Sequence, residues 1–197
     1  MADVFALKDA IEKAATPDAQ DAARQALVAA LDGDASEAAV AAVAEQLYRL
    51  GVVTLMRKRD AAAAMELFKR GADKKNPAWS PACRTSYALV LHARGKQQQA
   101  VFELRKVTAA AGTPAAATAH VFLCQVLRDM GAKPSEIEKA DKERIAALEA
   151  LHRAADATSA DKAHWALTLA AAHKEGGSRS EAKRLLQEVV AMGAAAG

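Results

Sequence analysis

The residues that could carry acid–base, nucleophilic or metal chemistry are few and widely spaced. They are the five histidines His92, His120, His152, His164 and His173 and the two cysteines Cys83 and Cys124. The sequence has no His-Glu-x-x-His or Cys-x2-Cys spacing, which would indicate a zinc site, and no glycine-rich loop that would bind phosphate. A triad assembled from distant residues leaves no local pattern. Because the local patterns of a zinc site and of a phosphate-binding loop are absent, we predict no catalytic residue, no metal and no cofactor, and a protein that is not an enzyme.

The composition is dominated by alanine, which fills 53 of the 197 positions, whereas aromatic residues make up 4%. Because Ala is the strongest helix former and runs of strand-forming β-branched residues are nearly absent, we predict an all-α protein with closely packed helices. We identify no apolar stretch of the ~18 residues that a membrane span needs and no secretory leader. Two cysteines are too few for a disulfide framework. We expect buried, reduced thiols, a cytoplasmic location and no membrane insertion.

Charge is distributed unevenly along the chain. Residues 1–34 carry three basic and seven acidic side chains, residues 35–111 carry thirteen and six, and residues 112–197 are balanced. The basic middle segment favours an acidic partner surface or self-association. Its basic clusters at 57–59 and 69–75 would lie roughly 20 Å apart, at opposite ends of one predicted helix. Because they do not form a continuous stripe with stacking aromatics, nucleic acid is not an expected partner.

Capping residues and glycines mark the ends of ten predicted helices. Thr16, Ser80 and Thr113 each precede a proline and are predicted N-caps, and Ser135 and Ser178 are predicted to begin capping boxes. Glycines between the segments suit the turn that follows a last helical residue. The predicted helices are residues 2–14, 17–31, 36–57, 61–74, 81–94, 97–110, 114–130, 136–156, 160–174 and 179–192. Their short connections predict five successive antiparallel hairpins.

Small residues recur beside large ones in these hairpins. The first helices contain Leu50-Gly51, Tyr87-Ala88, Leu123-Cys124 and Leu169-Ala170. The second helices contain the pairs Ala64 and Phe68, Ala100 and Leu104, Ala147 and Leu151, and Ala182 and Leu186. Two helices approach closely where one offers a small residue, and the large residue one turn on then fills the adjoining groove. Recurrence at intervals near 35 residues predicts a helical repeat array.

This pattern resembles the tetratricopeptide repeat (TPR) family, whose 34-residue motif reads W-x2-L-G-x2-Y, then A-x3-F, then P. The best match is Tyr87, Ala88, Leu91, Gly95, Ala100 and Leu104, with Pro114 opening the next unit. The resemblance implies a right-handed α-solenoid of antiparallel helix pairs. It covers residues 35–193 as about four repeats, at 36–77, 80–113, 114–157 and 159–193. An N-terminal hairpin at 1–34 precedes the repeats, and a tail at 194–197 follows them.

The third repeat departs most from the motif, because it is roughly eleven residues too long. Residues of about 133–143 form the insertion. They are predicted either as a longer loop with a solvated charged face or as a protruding helix, which would add about 16 Å to the second helix of this repeat. The motif's tryptophan position is also changed, to Leu47, Arg84, His120 and Ala166 in the four repeats.

In the TPR family the first helices of the repeats line a concave groove that binds partners. Carried over residue by residue, the resemblance implies a groove formed by Tyr48, Val52, Leu55, Met56, Thr85, Leu89, His92, Val121, Gln125, Arg128, His164, Leu167, Ala171 and Lys174. The Lys and Asn clamp with which co-chaperone members hold a C-terminal carboxylate is not matched. The implied groove is mostly apolar, with Arg128 and Lys174 toward one end.

The resemblance implies a non-enzymatic adaptor or scaffold that binds a protein segment, acidic or amphipathic, in this groove. Its size is similar to that of three-repeat secretion chaperones, which implies a chaperone-like role. The alternative is a structural protein that self-assembles through its ends. The last predicted helix presents Val190 and Met192 with no further helix to cover them, so a homodimer is a second partner hypothesis.

Overall fold

The computed structural model describes residues 3–110, 112–156 and 160–195, and every regular element in these ranges is an α-helix. The helices are α1 (Val4–Glu12), α2 (Pro17–Leu31), α3 (Glu37–Met56), α4 (Ala61–Asp73), α5 (Ser80–Ala93), α6 (Gln97–Thr108), α7 (Pro114–Asp129), α8 (Pro134–Ala154), α9 (Ala160–Glu175) and α10 (Arg179–Ala195). The all-α prediction is confirmed. The predicted start at Ala2 lies outside the described residues, as do the last two residues of the predicted tail, whereas α10 continues through its first two.

The predicted threonine caps are confirmed. The Thr16 hydroxyl accepts a hydrogen bond from the Ala19 N–H at 3.1 Å, and the Thr113 hydroxyl accepts one from the Ala116 N–H at the same distance. Each threonine is followed by proline, which needs no partner for the N–H that it lacks. These caps explain why α2 and α7 begin at the predicted residues.

Two predicted serine caps are wrong. Ser80 is the first residue of α5, and its hydroxyl donates to the Gly71 carbonyl at 2.9 Å while accepting from the Asn76 N–H. The preceding turn is held by Asn76, whose side-chain oxygen accepts from the Trp79 N–H. Helix α8 begins at Pro134, so Ser135 lies inside its first turn. Proline suits the first helical position by its fixed φ, which moves the start two residues earlier than predicted.

The chain divides into two compact units, Met1–Glu103 and Leu104–Gly197, with α6 spanning the division. In unit 1, α1 to α5 pack in chain order, and the first helices α1, α3 and α5 also pack one against the next. This arrangement is a stack of antiparallel pairs. One of its buried clusters consists of Ile11, Leu27, Val28, Leu31, Ala39, Ala42, Val43, Leu47 and Leu50.

Small residues allow close approach within unit 1, as predicted. A Cβ built on Gly51 would lie 2.5 Å from the ring of Phe68, which is itself fully buried. Gly71 likewise lies against Cys83, where a Cβ would meet the sulfur. The glycine of α3 therefore sets how closely α4 can pack, and the predicted pairing of Ala64 with Phe68 is confirmed by the burial of both side chains.

In unit 2, α7 packs on α8, α8 on α9 and α9 on α10. Its core includes Leu148, Trp165, Leu169 and Leu185. Two predicted core pairs are only partly right here. Helix α8 buries Arg144 and Leu148, while the predicted Ala147 and Leu151 are partly buried against the same core. On α10, Ala182 is buried as predicted, but Leu185 is buried in place of Leu186, which is 48% exposed. An error of one position rotates a side chain by about 100° around the helix axis, which moves it off the buried face.

The insertion at 133–143 is helical, so the loop alternative is wrong. It forms the N-terminal half of the 21-residue helix α8. The helix does not project freely, because Ala140 is buried and Asp141 bonds to Arg128 on α7. Glu136 also accepts a hydrogen bond from Arg105 on α6 at 2.6 Å. The extra turns therefore cover other helices of unit 2.

Among the described helices, α3 is long and apolar enough to cross a membrane by length and composition alone, with a mean hydropathy of 1.3. The expectation that no apolar stretch is long enough to span a membrane is therefore wrong for α3. Half of the apolar segment of α3 is buried inside the protein, as in the core helix of a soluble domain. The length of α3 is therefore weak evidence for a membrane span.

Candidate protein-binding surfaces

The predicted groove residues of unit 1 that face solvent lie on α3. Val52 is 37% exposed and Met56 72% exposed, one helical turn apart. We call these two residues the α3 surface. Leu89 and His92 on the neighbouring helix α5 are half-buried. The α3 surface is therefore a short apolar strip beside a second first helix.

Three predicted groove residues of unit 1 take part in internal packing. Tyr48 and Leu55 are half-buried; the Tyr48 ring centroid lies 6.1 Å from that of Phe68, and Leu55 packs against the same buried cluster. Thr85 is 7% exposed, and its hydroxyl donates to the Pro81 carbonyl at 2.9 Å. As a solvent-facing groove residue Thr85 is therefore wrong, whereas Tyr48 and Leu55 have one side in the packing of α3 and α4 and stay predictions.

The end of α3 next to this surface is basic. Arg57, Lys58 and Arg59 follow Met56 directly and are exposed. Arg57 is engaged within the protein, since it donates to Asp18 at 3.1 Å and to Asp21 at 3.4 Å. Lys58 and Arg59 leave a positive surface at this end of the helix.

Much of the sequence's charge asymmetry is resolved inside unit 1. Asp32, at the end of α2, forms an ion pair with Arg70 of α4 at 3.1 Å and another with Lys74, the C-cap of α4, at 2.7 Å. The hydrogen bond from Lys74 and the charge of Arg70 lower the pKa of Asp32. The acidic N-terminal hairpin therefore pairs with basic residues of the middle segment, which reduces the positive charge available to an external partner.

The predicted groove residues of unit 2 are mostly polar where they are exposed. Gln125, His164, Leu167, Ala171 and Lys174 face solvent, and Leu167, 47% exposed, is the one large apolar side chain among them. Val121 is partly buried against the core of unit 2. In this unit the prediction of a mostly apolar groove is wrong, because the larger apolar side chains of α7 and α9 are used in the core.

Arg128, predicted at the basic end of the groove, is part of an ion-pair network. It donates to both carboxylate oxygens of Asp141 at 2.7 Å and to Glu175 at 3.2 Å. Arg144, 3% exposed, donates to the same Glu175 at 2.7 Å. Burial alone would lower the pKa of Arg128, but Asp141 and Glu175 raise it overall. This network joins α7, α8 and α9, so Arg128 has a structural role.

The last helix exposes an apolar strip that the sequence revealed in part. Val190 is 73% exposed as predicted, Leu186 was assigned to the core but is exposed, and Met192 is half-buried. A shallow hollow of about 350 Å³ is lined by Lys183, Leu186, Gln187, Val190 and Ala191, which we call the α10 surface.

Four of the seven His and Cys side chains, Cys83, Cys124, His120 and His152, are buried in the helix packing. Burial raises the pKa of Cys83 and of Cys124 to about 12, so both thiols stay protonated near neutral pH. Burial also lowers the pKa of His120. No three His, Cys, Asp or Glu side chains of the described ranges lie close enough together to hold a metal ion.

Similarity to known proteins is found at the level of structure. No protein-family model matches the sequence, and no curated protein matches it. A kinesin light chain-like protein of Podosopora anserina with nearly identical TPR-like repeats matches 100% of this chain and 99% of its own, at 17% identity and a TM-score of 0.58.

Two further solved structures agree. BtubC from P. vanneervenii matches 96% of this chain and 71% of its own, at 16% identity and a TM-score of 0.59. The MamA protein matches 96% of this chain and 91% of its own, at 17% identity and a TM-score of 0.54. At these identities the likeness concerns the fold. The chain has the fold of the TPR-like repeat proteins.

Proposed function

We propose that this chain is a cytoplasmic, non-enzymatic scaffold that binds a segment of another protein on the α3 surface. TPR-like folds generally bind protein partners, since stacked helix pairs present extended surfaces rather than closed reaction centres. The buried, protonated thiols are compatible with a reducing compartment.

The observation that carries the proposal is the exposure of two large apolar side chains, Val52 and Met56, on α3, a 20-residue helix with nine buried residues. Helix α3 buries nine of its residues, so these two side chains are not needed to hold unit 1 together. Methionine adapts its shape to different partners and is common on surfaces that bind helices. Apolar side chains one turn apart suit an amphipathic partner helix or an extended segment with apolar anchors.

The charge beside the α3 surface indicates an acidic segment. Lys58 and Arg59 are exposed just beyond Met56, and Arg94 and Lys96 are exposed just beyond the end of α5. Because α3 and α5 are both first helices of successive hairpins, their C-terminal ends lie on the same side of unit 1. A partner segment with apolar anchors and acidic residues at one end would complement both features.

The test compares two double variants that each add two carboxylates to one exposed apolar strip. Val52→Glu with Met56→Glu changes the α3 surface, and Leu186→Glu with Val190→Glu changes the α10 surface as a matched control. Proteins captured by the wild type are identified, and binding of their purified segments is measured by fluorescence polarisation. We expect the α3 variant to weaken binding at least tenfold and the control to leave it unchanged. Equal affinity for the α3 variant, with circular dichroism unchanged, would contradict the proposal.

A second candidate function is self-assembly, with the α10 surface of a second copy as the occupant. The exposure of Leu186 and Val190 favours it, because two large apolar side chains one turn apart on an exposed helix face are typical of an interaction surface. Light scattering over a dilution series would show a dimer that dissociates on dilution, and the Leu186→Glu with Val190→Glu variant would be a monomer. A wild-type monomer at every concentration would rule this function out.

A further inference from the structure

Unit 1 contains a polar cleft between its first three helices. The cleft has a volume of about 290 Å³ and is lined by Lys8, Ile11 and Glu12 from α1, Gln20 and Arg24 from α2, and Glu45, Gln46 and Arg49 from α3. Within each helix the lining residues are direct neighbours or are spaced by three or four positions, so they lie on one face of that helix. Three helices therefore line one half-open cleft with polar side chains, and on α3 the lining residue Arg49 lies one turn before Val52 of the α3 surface.

Two buried polar atoms of the lining residues have no partner in the protein. Gln46 is 3% exposed, and its side-chain oxygen Oε1 accepts no hydrogen bond. Arg24 is 9% exposed; its Nη1 donates to Asp21 at 2.9 Å, but its Nε–H has no acceptor. Buried polar groups in native proteins are nearly always satisfied, because leaving them unpaired destabilises the fold. The Gln46 oxygen therefore needs a hydrogen-bond donor, and the Arg24 Nε–H needs an acceptor.

The charges at the cleft balance. Glu45 accepts a hydrogen bond from Arg49 at 2.9 Å and lies 3.8 Å from Lys8, and Arg24 is paired with Asp21. Counting Glu12 as well, three cations and two carboxylates line the cleft, and Asp21, which is paired with Arg24 but does not line the cleft, brings the local charge to balance. A neutral site with one free donor and one free acceptor discriminates against simple anions and simple cations. It suits a molecule that carries both charges.

We propose that this cleft binds a free α-amino acid. The ligand carboxylate would accept from the Arg24 Nε–H, with Lys8 and Arg49 nearby. The ligand ammonium would donate to the Gln46 oxygen, with Glu12 nearby. The volume is at the small end of ligand pockets, which suits an amino acid and excludes a nucleotide. With seven polar residues and Ile11 as the lining, a polar side chain fits better than a large apolar one.

The test measures binding of the twenty common L-amino acids, one at a time, to the full chain by thermal shift and calorimetry. L-lactate, which lacks the ammonium group, and ethylamine, which lacks the carboxylate, are the matched controls. We expect at least one polar amino acid to raise Tm by about 3 °C at ten times its Kd. Neither control should raise Tm.

Two variants locate the site. Gln46→Leu removes the orphan acceptor, and Arg24→Lys keeps the charge beside Asp21 while removing the Nε–H. Each should weaken amino-acid binding at least tenfold, and Gln46→Leu should unfold at the same or a higher temperature than the wild type without ligand. Gln25→Leu, an exposed position on the same helix as Arg24, is the control that should bind normally. If Arg24→Lys fails to fold, Gln46→Leu decides.

Three results would overturn the proposal. In the first, none of the twenty amino acids raises Tm, which would show that water alone satisfies the two atoms. In the second, L-lactate or ethylamine binds as well as the amino acid. In the third, Gln46→Leu binds like the wild type, which would place the ligand elsewhere. The Val52→Glu with Met56→Glu variant should retain amino-acid binding, so this result is independent of the proposed scaffold function.

Discussion

Gly51 is the residue at which α3 and α4 approach most tightly, because the Phe68 ring occupies the space of a Cβ. Any side chain here would push a fully buried ring into its neighbours. Gly193 on α10 is the opposite case, with nothing within 4 Å of a Cβ. The same residue type therefore serves close packing at one position and has no packing role at the other.

We expect Gly51→Ala to destabilise the protein by about 1–3 kcal/mol, the usual effect of overpacking a core. Gly193→Ala should stabilise it by up to about 1 kcal/mol, since alanine is the better helix former and the added methyl meets no atom. Urea denaturation followed by circular dichroism measures both. If the two substitutions had the same sign, the close approach of α3 and α4 would not depend on Gly51.

The two cysteines give a second prediction at this scale. Because burial raises the pKa of Cys83 and Cys124 from 9.0 to about 12, the unfolded chain loses these protons at a lower pH than the folded chain does. The free energy of unfolding should therefore fall as pH rises from about 9 to 12. At pH 8 both thiols should react with a maleimide far more slowly in the native protein than in urea.

A Gln98→Cys variant is the control for this labelling, because position 98 is exposed on α6. Its added thiol should react at once in the native protein while Cys83 and Cys124 remain protected. Fast native labelling of all three would show that the core of these helix pairs opens readily, which would contradict the packing described above.

At the scale of the element, α8 shows how a long insertion is accommodated. The second helix of a repeat is expected to bury an alanine one turn before a large apolar residue. Helix α8 instead buries Arg144, one turn before the buried Leu148. The charge is tolerated because Glu175 accepts from it and Asp141 lies 3.0 Å away. Asp141 also holds Arg128, so one carboxylate serves two guanidinium groups on two helices.

We expect Asp141→Asn to destabilise the protein by about 2 kcal/mol, because it leaves the buried Arg144 and the half-buried Arg128 with less compensating charge. Lys142→Met is the matched control on the same helix. Lys142 pairs with Glu138 at 2.7 Å, but both side chains are largely exposed, so its removal should not be measurable. Equal effects of the two substitutions in urea denaturation would show that the network does not hold α8.

The sequence predicted the helices well and their buried faces less well. Proline, threonine and glycine act locally, so the helix ends could be predicted within a few residues. The burial of Leu185 instead of Leu186 depends on how α10 meets α9, which no local pattern records. For the same reason Thr85 and Tyr48 could not be separated from Val52 and Met56, and the cleft at Gln46 could not be predicted at all.

At the scale of the whole molecule, net charge per segment overstated what a partner would meet. The sequence shows an acidic start and a basic middle, and the structure pairs Asp18 with Arg57 and Asp32 with Arg70 and Lys74. Segment totals cannot anticipate this pairing, since it depends on α2 packing beside α3 and on its end meeting α4. The remaining exposed cations, such as Lys58 and Arg59, are therefore a smaller basic surface than the composition implies.

The pairing predicts how the chain behaves toward a polyanion. Replacing both residues, as Asp18→Asn with Asp32→Asn, frees Arg70 and Lys74 from their carboxylate and leaves Arg57 with Asp21 alone. We expect the variant to elute from heparin at a clearly higher salt concentration than the wild type. Glu37→Gln with Glu66→Gln changes the net charge by the same amount at exposed positions and is the control. Because the two variants have the same net charge, any difference in their elution must come from the cations that lost their ion-pair partners. Identical elution would mean that net charge alone governs binding and that the acidic hairpin does not shield the basic segment.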